Sequence, residues 1–280
     1  MKPLITLGVE NLIDWYDRII LNKDQGAIRD ELYNIRNDIN NKYNGYTGKF
    51  TPKDIINIAN STYIKNHPAL LSCYKSEGNV LANLKKLIRE AQSDDLKGTC
   101  QYCGIGKPQS FDHYLPISEY PEFSVLAINL IPCCTDCNGK KRSYWKENGN
   151  RGIINFYLDN IPNEQFLFAE VELVNGIPTL KFKIENINVI DPVFYAIVEK
   201  HYSRLGLIKL YTDESPDYLG ELIRILKNYV DDWSVESLSS KLLNDSNQME
   251  IQFGKNYWRA VISKALSESN DFLEYLSNQH

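Results

Sequence analysis

Cys100-Gln101-Tyr102-Cys103, Phe111-Asp112-His113-Tyr114-Leu115-Pro116, Asn129-Leu130-Ile131-Pro132 and Cys134-Thr135-Asp136-Cys137-Asn138-Gly139-Lys140-Lys141 all fall within residues 100–141, and these four runs decide the fold. Each Cys-x-x-Cys turn lets two thiolates reach one ion, and a tetrahedral Zn²⁺ takes four such ligands. Thirty residues lie between Cys103 and Cys134. A redox dithiol is the alternative for a single turn, but two turns so close together favour a structural zinc on Cys100, Cys103, Cys134 and Cys137. Cys133 could replace Cys134, though its spacing to Cys137 suits a turn less well, and it reads as a small buried residue. Cys73 sits among apolar residues and reads as core.

Outward from this stretch the pattern changes on both sides. Residues 1–95 form a helical region. Leu12, Trp15, Tyr16, Ile19 and Ile20 share one helical face, as do Leu81, Leu84, Leu87 and Ile88. Thr51-Pro52-Lys53-Asp54 has the signals of a helix start, with Ile55, Ile56 and Ala59 following at helical spacing. Asn44-Gly45-Tyr46-Thr47-Gly48 reads as a loop. Residues 96–152 hold the motifs. Residues 153–280 begin with a hairpin about Asn175-Gly176, pairing Val171 with Leu180, Ala169 with Phe182, Leu167 with Ile184 and Glu170 with Lys181. Asp191-Pro192 and Ser215-Pro216 read as helix starts. Leu219, Leu222, Ile223, Leu226 and Val230 stripe one helix, and Tyr257, Val261, Ile262 and Leu266 the last. The fold class is α+β.

Composition narrows the function classes. The 280 residues are 43% hydrophobic and 24% charged, with 18 Tyr, 10 Phe and 4 Trp, which is enough for a core and rules out wholesale disorder. No apolar run is long enough to span a membrane, and the N-terminal one is too short and too soon charged for a secretory signal, so a cytoplasmic protein is expected. A net charge of −5 argues against a protein that coats nucleic acid indiscriminately. The charge is uneven, however: residues 97–151 carry seven basic and five acidic groups, a net of +2, and the rest of the chain carries −7.

The segment between the cysteine turns holds what a phosphodiesterase requires. A base of pKa near 7 deprotonates water, and histidine is the default. Carboxylate and amide oxygens suit Mg²⁺, and cations suit phosphate. An Asp-His pair alone is more often a structural contact. Here it is followed by Asn129, Asn138 and a lysine pair. His67, beside Pro68, reads as a loop or helix-start residue, and His201 as a packed histidine. Tyr144 and Trp145 read as helix packing as readily as base stacking, and Glu119 and Glu122 as solvated loop charges.

The combined order, Cys-x-x-Cys, Asp-His-x-x-Pro, Asn-Leu and Cys-x-x-Cys-Asn-x-x-Lys, resembles the HNH endonuclease family with its ββα-metal fold. The resemblance covers about residues 98–145. It implies a strand at Phe111–Tyr114, a second at Asn129–Pro132, and a helix from Thr135 to about Trp145. It also implies that His113 is the general base, that Asp112 and Asn138 hold one Mg²⁺ or Mn²⁺, and that Asn129 braces the loop and orients His113. Lys141 would contact phosphate, supported by Lys140 and Arg142. Adjacent strand residues point to opposite faces, so Asp112 and His113 share a site only where the strand ends, twists or bulges.

The expected activity is metal-dependent hydrolysis of DNA. A zinc-stapled adaptor without activity and an RNase toxin are the alternatives. The acidic flanks suggest docking of a partner subunit, such as the ATPase that accompanies HNH proteins of this look in bacterial anti-phage operons.

Overall fold

Apolar residues at helical spacing produce helices through the first hundred residues of the computed structural model, which describes residues 1–280 apart from 8–11, 50–53, 66, 76–77, 188, 230–231 and 279–280. The chain divides into two compact units, Pro3–Ile161, and Met1–Lys2 with Pro162–His280. The helices before residue 96 and the cysteine-rich stretch therefore belong to one unit.

In that unit α1 (Asp14–Leu21) buries Trp15, Tyr16, Ile19 and Ile20. Along α2 (Ala27–Gly48), Leu32, Ile39, Tyr43 and Tyr46 face inward. The loop expected at Asn44–Gly48 is thus the last turns of a helix. Each glycine in a helix costs about 1 kcal/mol relative to alanine, whereas burying a whole aromatic ring returns about 2 kcal/mol or more. Tyr46 is fully buried, edge-on to Phe123 with centroids 5.0 Å apart. The signals at Thr51, Pro52 and Lys53 lie outside the described residues. After them comes only a 3-10 turn at Ile55–Asn57, so Ala59 is not helical.

Next are α3 (Pro68–Lys75), α4 (Asn79–Glu90) and the single turn α5 (Asp94–Lys97). His67 precedes α3, and its carbonyl accepts from Leu71 N. α4 buries Leu81, Leu84 and Ile88. β1 (Ser110–His113) pairs antiparallel with β2 (Leu130–Cys133), with Phe111 opposite Pro132 and His113 opposite Leu130. α6 (Thr135–Lys141) follows at once. It stops four residues short of Trp145. Arg142 takes a left-handed φ of 50°, and the chain turns to seat Trp145 against the rings of Tyr114 and Tyr120. β3 (Lys146–Glu147) and β4 (Asn150–Arg151) form a small hairpin about Asn148-Gly149.

The second unit begins with β5 (Leu167–Val174) and β6 (Ile177–Ile184) in the register expected, including Val171 opposite Leu180 and Glu170 opposite Lys181. Asn175 and Gly176 have φ of 53° and 77°, the left-handed pair that a two-residue turn needs. α8 and α10 pack on this hairpin, in a series of α7 (Pro192–Leu205), α8 (Leu207–Leu226), α9 (Val235–Phe253), α10 (Trp258–Glu268) and α11 (Asn270–Ser277). Asp191 caps α7 through Phe194 N, as its sequence suggests. Buried His201 is a packed residue of α7.

Ser215-Pro216, by contrast, starts nothing and lies inside α8. Proline there removes the amide that would bond the Thr212 carbonyl. The Ser215 hydroxyl donates to that same carbonyl at 3.1 Å, so the helix continues. α10 is not the last helix, since α11 follows it. Among the described residues, helices with three separate two-stranded antiparallel pairs make the class α+β. No helix among the described residues is long and apolar enough to cross a membrane.

Candidate functional site

The two cysteine turns meet at one point. Cys100 N donates to the Gly106 carbonyl and Gly104 N to the Cys100 carbonyl, both at 2.7 Å, which closes the first turn. Gly106 N points at Cys103 Sγ, 3.5 Å away. A Cβ on Gly106 would stand 2.6 Å from the Cys134 Cβ, so only glycine lets the turns approach this closely. In the second turn Cys134 caps α6, accepting from Cys137 N at 3.4 Å.

All four Sγ atoms lie within 4.8 Å of one another and are buried. A tetrahedral ion with Zn–S bonds of about 2.3 Å holds its sulfurs about 3.8 Å apart, and Cys103 and Cys134 stand at 3.9 Å. The four cysteines are therefore placed to hold a metal ion such as zinc. Hydrogen bonds from Cys100, then Cys103 and Cys137, hold the Cys134 thiol far below the usual range. Backbone N–H groups aimed at sulfur favour thiolates further. Cys133 stands apart, beside Ser110 Oγ at 3.5 Å, and burial pushes its thiol up to about 12.

β1 presents its side chains alternately, and its two faces differ. On one face Asp112, 2% exposed, accepts from Tyr102 Oη at 2.7 Å and from Lys141 Nζ at 2.9 and 3.0 Å. Lys141 is wholly buried and also donates to the carbonyls of His113 (2.9 Å) and Tyr114 (3.3 Å). It is thus an internal tie between α6 and the end of β1, not the phosphate contact expected of it. Its burial, unreadable from an exposed-looking Lys-Lys-Arg run, explains the difference. Asp112, expected as a metal ligand, is turned toward this lysine and away from His113.

On the other face His113 lies beneath the loop between the two strands. Its Nε2 donates to the Ser124 carbonyl at 2.9 Å, which leaves the lone pair on Nδ1. Burial lowers its pKa to about 4, against the opposing effect of the Ser124 bond, so the ring is neutral at physiological pH. Asn129 staples the loop: its side-chain oxygen accepts from Leu115 N at 2.8 Å, and its amide donates to the carbonyls of Leu115 and Phe123. Ser124 Oγ in turn donates to the Leu70 carbonyl on α3. Half-buried Asn138 donates from Nδ2 to Ser110 Oγ and the Phe111 carbonyl, both at 3.3 Å. Lys140 and Arg142 are exposed, and Arg142 Nε donates to the Gly139 carbonyl.

The N-terminal helices complete this face. Tyr74 of α3 stands edge-on to His113 with centroids 4.3 Å apart. Lys85 Nζ lies 4.1 Å from the centre of the Tyr74 ring, and Arg89 Cζ 4.6 Å from that of Phe111. The motifs between the cysteines carry no trace of these three residues. The one available signal is the four-residue spacing of Lys85 and Arg89, which puts both on one side of a helix.

No known family's sequence profile matches the chain, and no solved structure matches it. It is similar to Protein ea31 of Escherichia phage lambda, 30% identical over 192 aligned residues. The match covers 62% of this chain and 62% of the phage protein.

Proposed function

We propose that the chain is a nuclease of the HNH type that hydrolyses phosphodiester bonds in DNA. The observation that carries the reading is His113. It is a neutral imidazole fixed through Nε2 to a backbone carbonyl, on a strand whose partner strand leads straight into a cysteine-pinned helix. In this reading a structural zinc on Cys100, Cys103, Cys134 and Cys137 fixes the start of α6, and with it Asn138, against β1. His113 Nδ1 takes the proton of the attacking water. Asn129 does no chemistry; it holds the loop whose Ser124 carbonyl sets the imidazole's orientation and tautomer.

Mg²⁺ or Mn²⁺ was expected on Asp112 and Asn138. Asn138 offers a side-chain oxygen that accepts no hydrogen bond from a described residue, but both Asp112 oxygens are engaged by Lys141. The pair as arranged does not form a ligand set for such an ion. The test is incubation of supercoiled plasmid with the protein in magnesium, manganese or EDTA, beside His113→Ala. Wild-type nicking that falls about 10²- to 10⁴-fold in the variant is the expected result. A folded wild-type protein that leaves plasmid intact in every condition would sink the reading.

A second reading, a zinc-stapled binding module with no catalysis, draws support from the closed Asp112–Lys141 pair. It predicts that His113→Ala causes no loss of the protein's biological effect. The resemblance also implies an ATPase partner, which co-purification with such a subunit would test. A relative in a bacteriophage is compatible with a phage-borne nuclease as much as with an anti-phage one.

A further inference from the structure

Lys141 is sealed in the interior, so the cation that meets a substrate phosphate has to come from elsewhere. The His113 face of β1 supplies one. Phe111 and His113 project to the same side, two residues apart, and α3 and α4 cover them. Tyr74 abuts His113, Lys85 lies over Tyr74, and Arg89 lies over Phe111. Lys85 and Arg89 are half-buried, with their stems against rings and their charged ends four residues apart on one side of α4.

The next residues along the same helix behave differently. Lys86 and Glu90, both exposed, form an i,i+4 ion pair. Arg89 has no carboxylate within ion-pair distance among the described residues. One of its terminal nitrogens donates to the Gln109 carbonyl at 3.3 Å, which with the Phe111 ring fixes the plane of the guanidinium. A half-buried guanidinium held in this way offers its outer edge to an anionic oxygen with little side-chain freedom left to lose on binding.

We propose that Lys85 and Arg89 form a seat for the backbone phosphates of the DNA duplex, bringing the strand alongside the His113 face of β1; this rests on the nuclease reading above. Substrate positioning thereby falls in part to the N-terminal helices.

The test is fluorescence anisotropy of a labelled DNA duplex titrated with the full chain in EDTA, where binding is read without cleavage, across a series of salt concentrations. Lys85→Met and Arg89→Met keep the aliphatic packing over the rings and remove the charge. Each should weaken binding and lower the slope of log affinity against log salt by about one, since each neutralised phosphate contributes about 0.9. Arg89→Lys should keep the wild-type slope, which separates charge from packing if Arg89→Met is poorly folded. Lys86→Met is the control and should leave the slope unchanged.

Slopes in Lys85→Met and Arg89→Met equal to that of wild type, or no lower than in Lys86→Met, would overturn the proposal. So would a wild-type protein with no affinity for the duplex. The same proteins on plasmid with magnesium or manganese report on the nuclease separately. Reduced slopes with a wild type that never cuts would keep the phosphate seat and remove the nuclease, and unchanged slopes with a wild type that cuts would do the reverse.

Discussion

The two faces of β1 are built from neighbouring residues and have opposite characters. The Asp112 face is closed: a carboxylate, an ammonium and a phenol are buried together and satisfy one another. The His113 face is held just as firmly, through Ser124 and Asn129, but its histidine keeps 9% exposure and has two cations nearby. Strand alternation makes this division possible. One side chain ties the helix to the strand, and the next faces the loop and α3. A sequence motif that lists Asp and His as one catalytic unit hides that separation.

The largest disturbance should come from the cysteine cluster, which anchors both faces. Structural zinc sites contribute about 10–16 kcal/mol of binding free energy in small zinc domains, more than most domains can spare. Metal analysis should find one zinc per chain. Cys134→Ser should lose it together with hydrogen-exchange protection of β1, β2 and α6. A variant without metal but with full protection would show that the cluster is not what holds the strands and helix.

The closed face is broken next. Lys141→Met leaves Asp112 buried without its cation, and losing one partner of a buried pair costs about 3–5 kcal/mol. Thermal unfolding should show that loss, and Asp112→Leu combined with Lys141→Met should recover most of it. An unchanged melting temperature in the single variant would mean the pair is not structural.

On the open face Asn129→Ala strips partners from the Leu115 amide and from two carbonyls. Each buried group left unpaired costs about 1–3 kcal/mol. Stability should fall by less than in Lys141→Met, and cutting should fall further than stability, because the loop that aims His113 loosens. Equal losses in both would assign Asn129 to stability alone.

The smallest effect concerns Glu122, in the same loop. Burial raises its pKa above the usual carboxylate value, against opposing hydrogen bonds from Ser61 and its own backbone and the charge of Lys42. The folded state therefore binds this proton more tightly than the unfolded chain does. Its contribution to stability is present below the unfolded pKa and is lost as pH rises through the higher folded one. Glu122→Gln should flatten that part of the pH–stability curve just above the ordinary carboxylate range while sparing stability at neutral pH. An unchanged curve would mean that Lys42 and Ser61 fully offset the burial.

Local signals carried much of this architecture. Asn175-Gly176 set the hairpin register because a two-residue turn and a two-residue alternation leave one solution. The cysteine spacing placed both turns, and the strands and helix between them follow within a residue or two except where α6 ends early. Long-range compensation was not legible. Nothing near Gly45 announces that Phe123 will receive Tyr46, and nothing in Ser215-Pro216 announces a hydroxyl filling in for a lost amide. The order of His113, Asn129 and Asn138 matches their places at the end of β1, just before β2 and on α6. The role of Lys141 was not legible, because its partner Asp112 lies 29 residues earlier and the burial of both is a tertiary event. That Tyr74, Lys85 and Arg89 pack beside His113 and Phe111 is a tertiary event of the same kind.

The most direct measurement sets cutting against folding for the two faces at once. Plasmid nicking with a divalent ion and thermal unfolding would be recorded for wild type, His113→Ala and Lys141→Met. The account predicts that His113→Ala stays folded with a modest loss, about 1–3 kcal/mol for the unpaired Ser124 carbonyl, and hardly cuts, while Lys141→Met unfolds earlier and, below its melting point, still cuts. A His113→Ala protein that cuts as fast as wild type would contradict it.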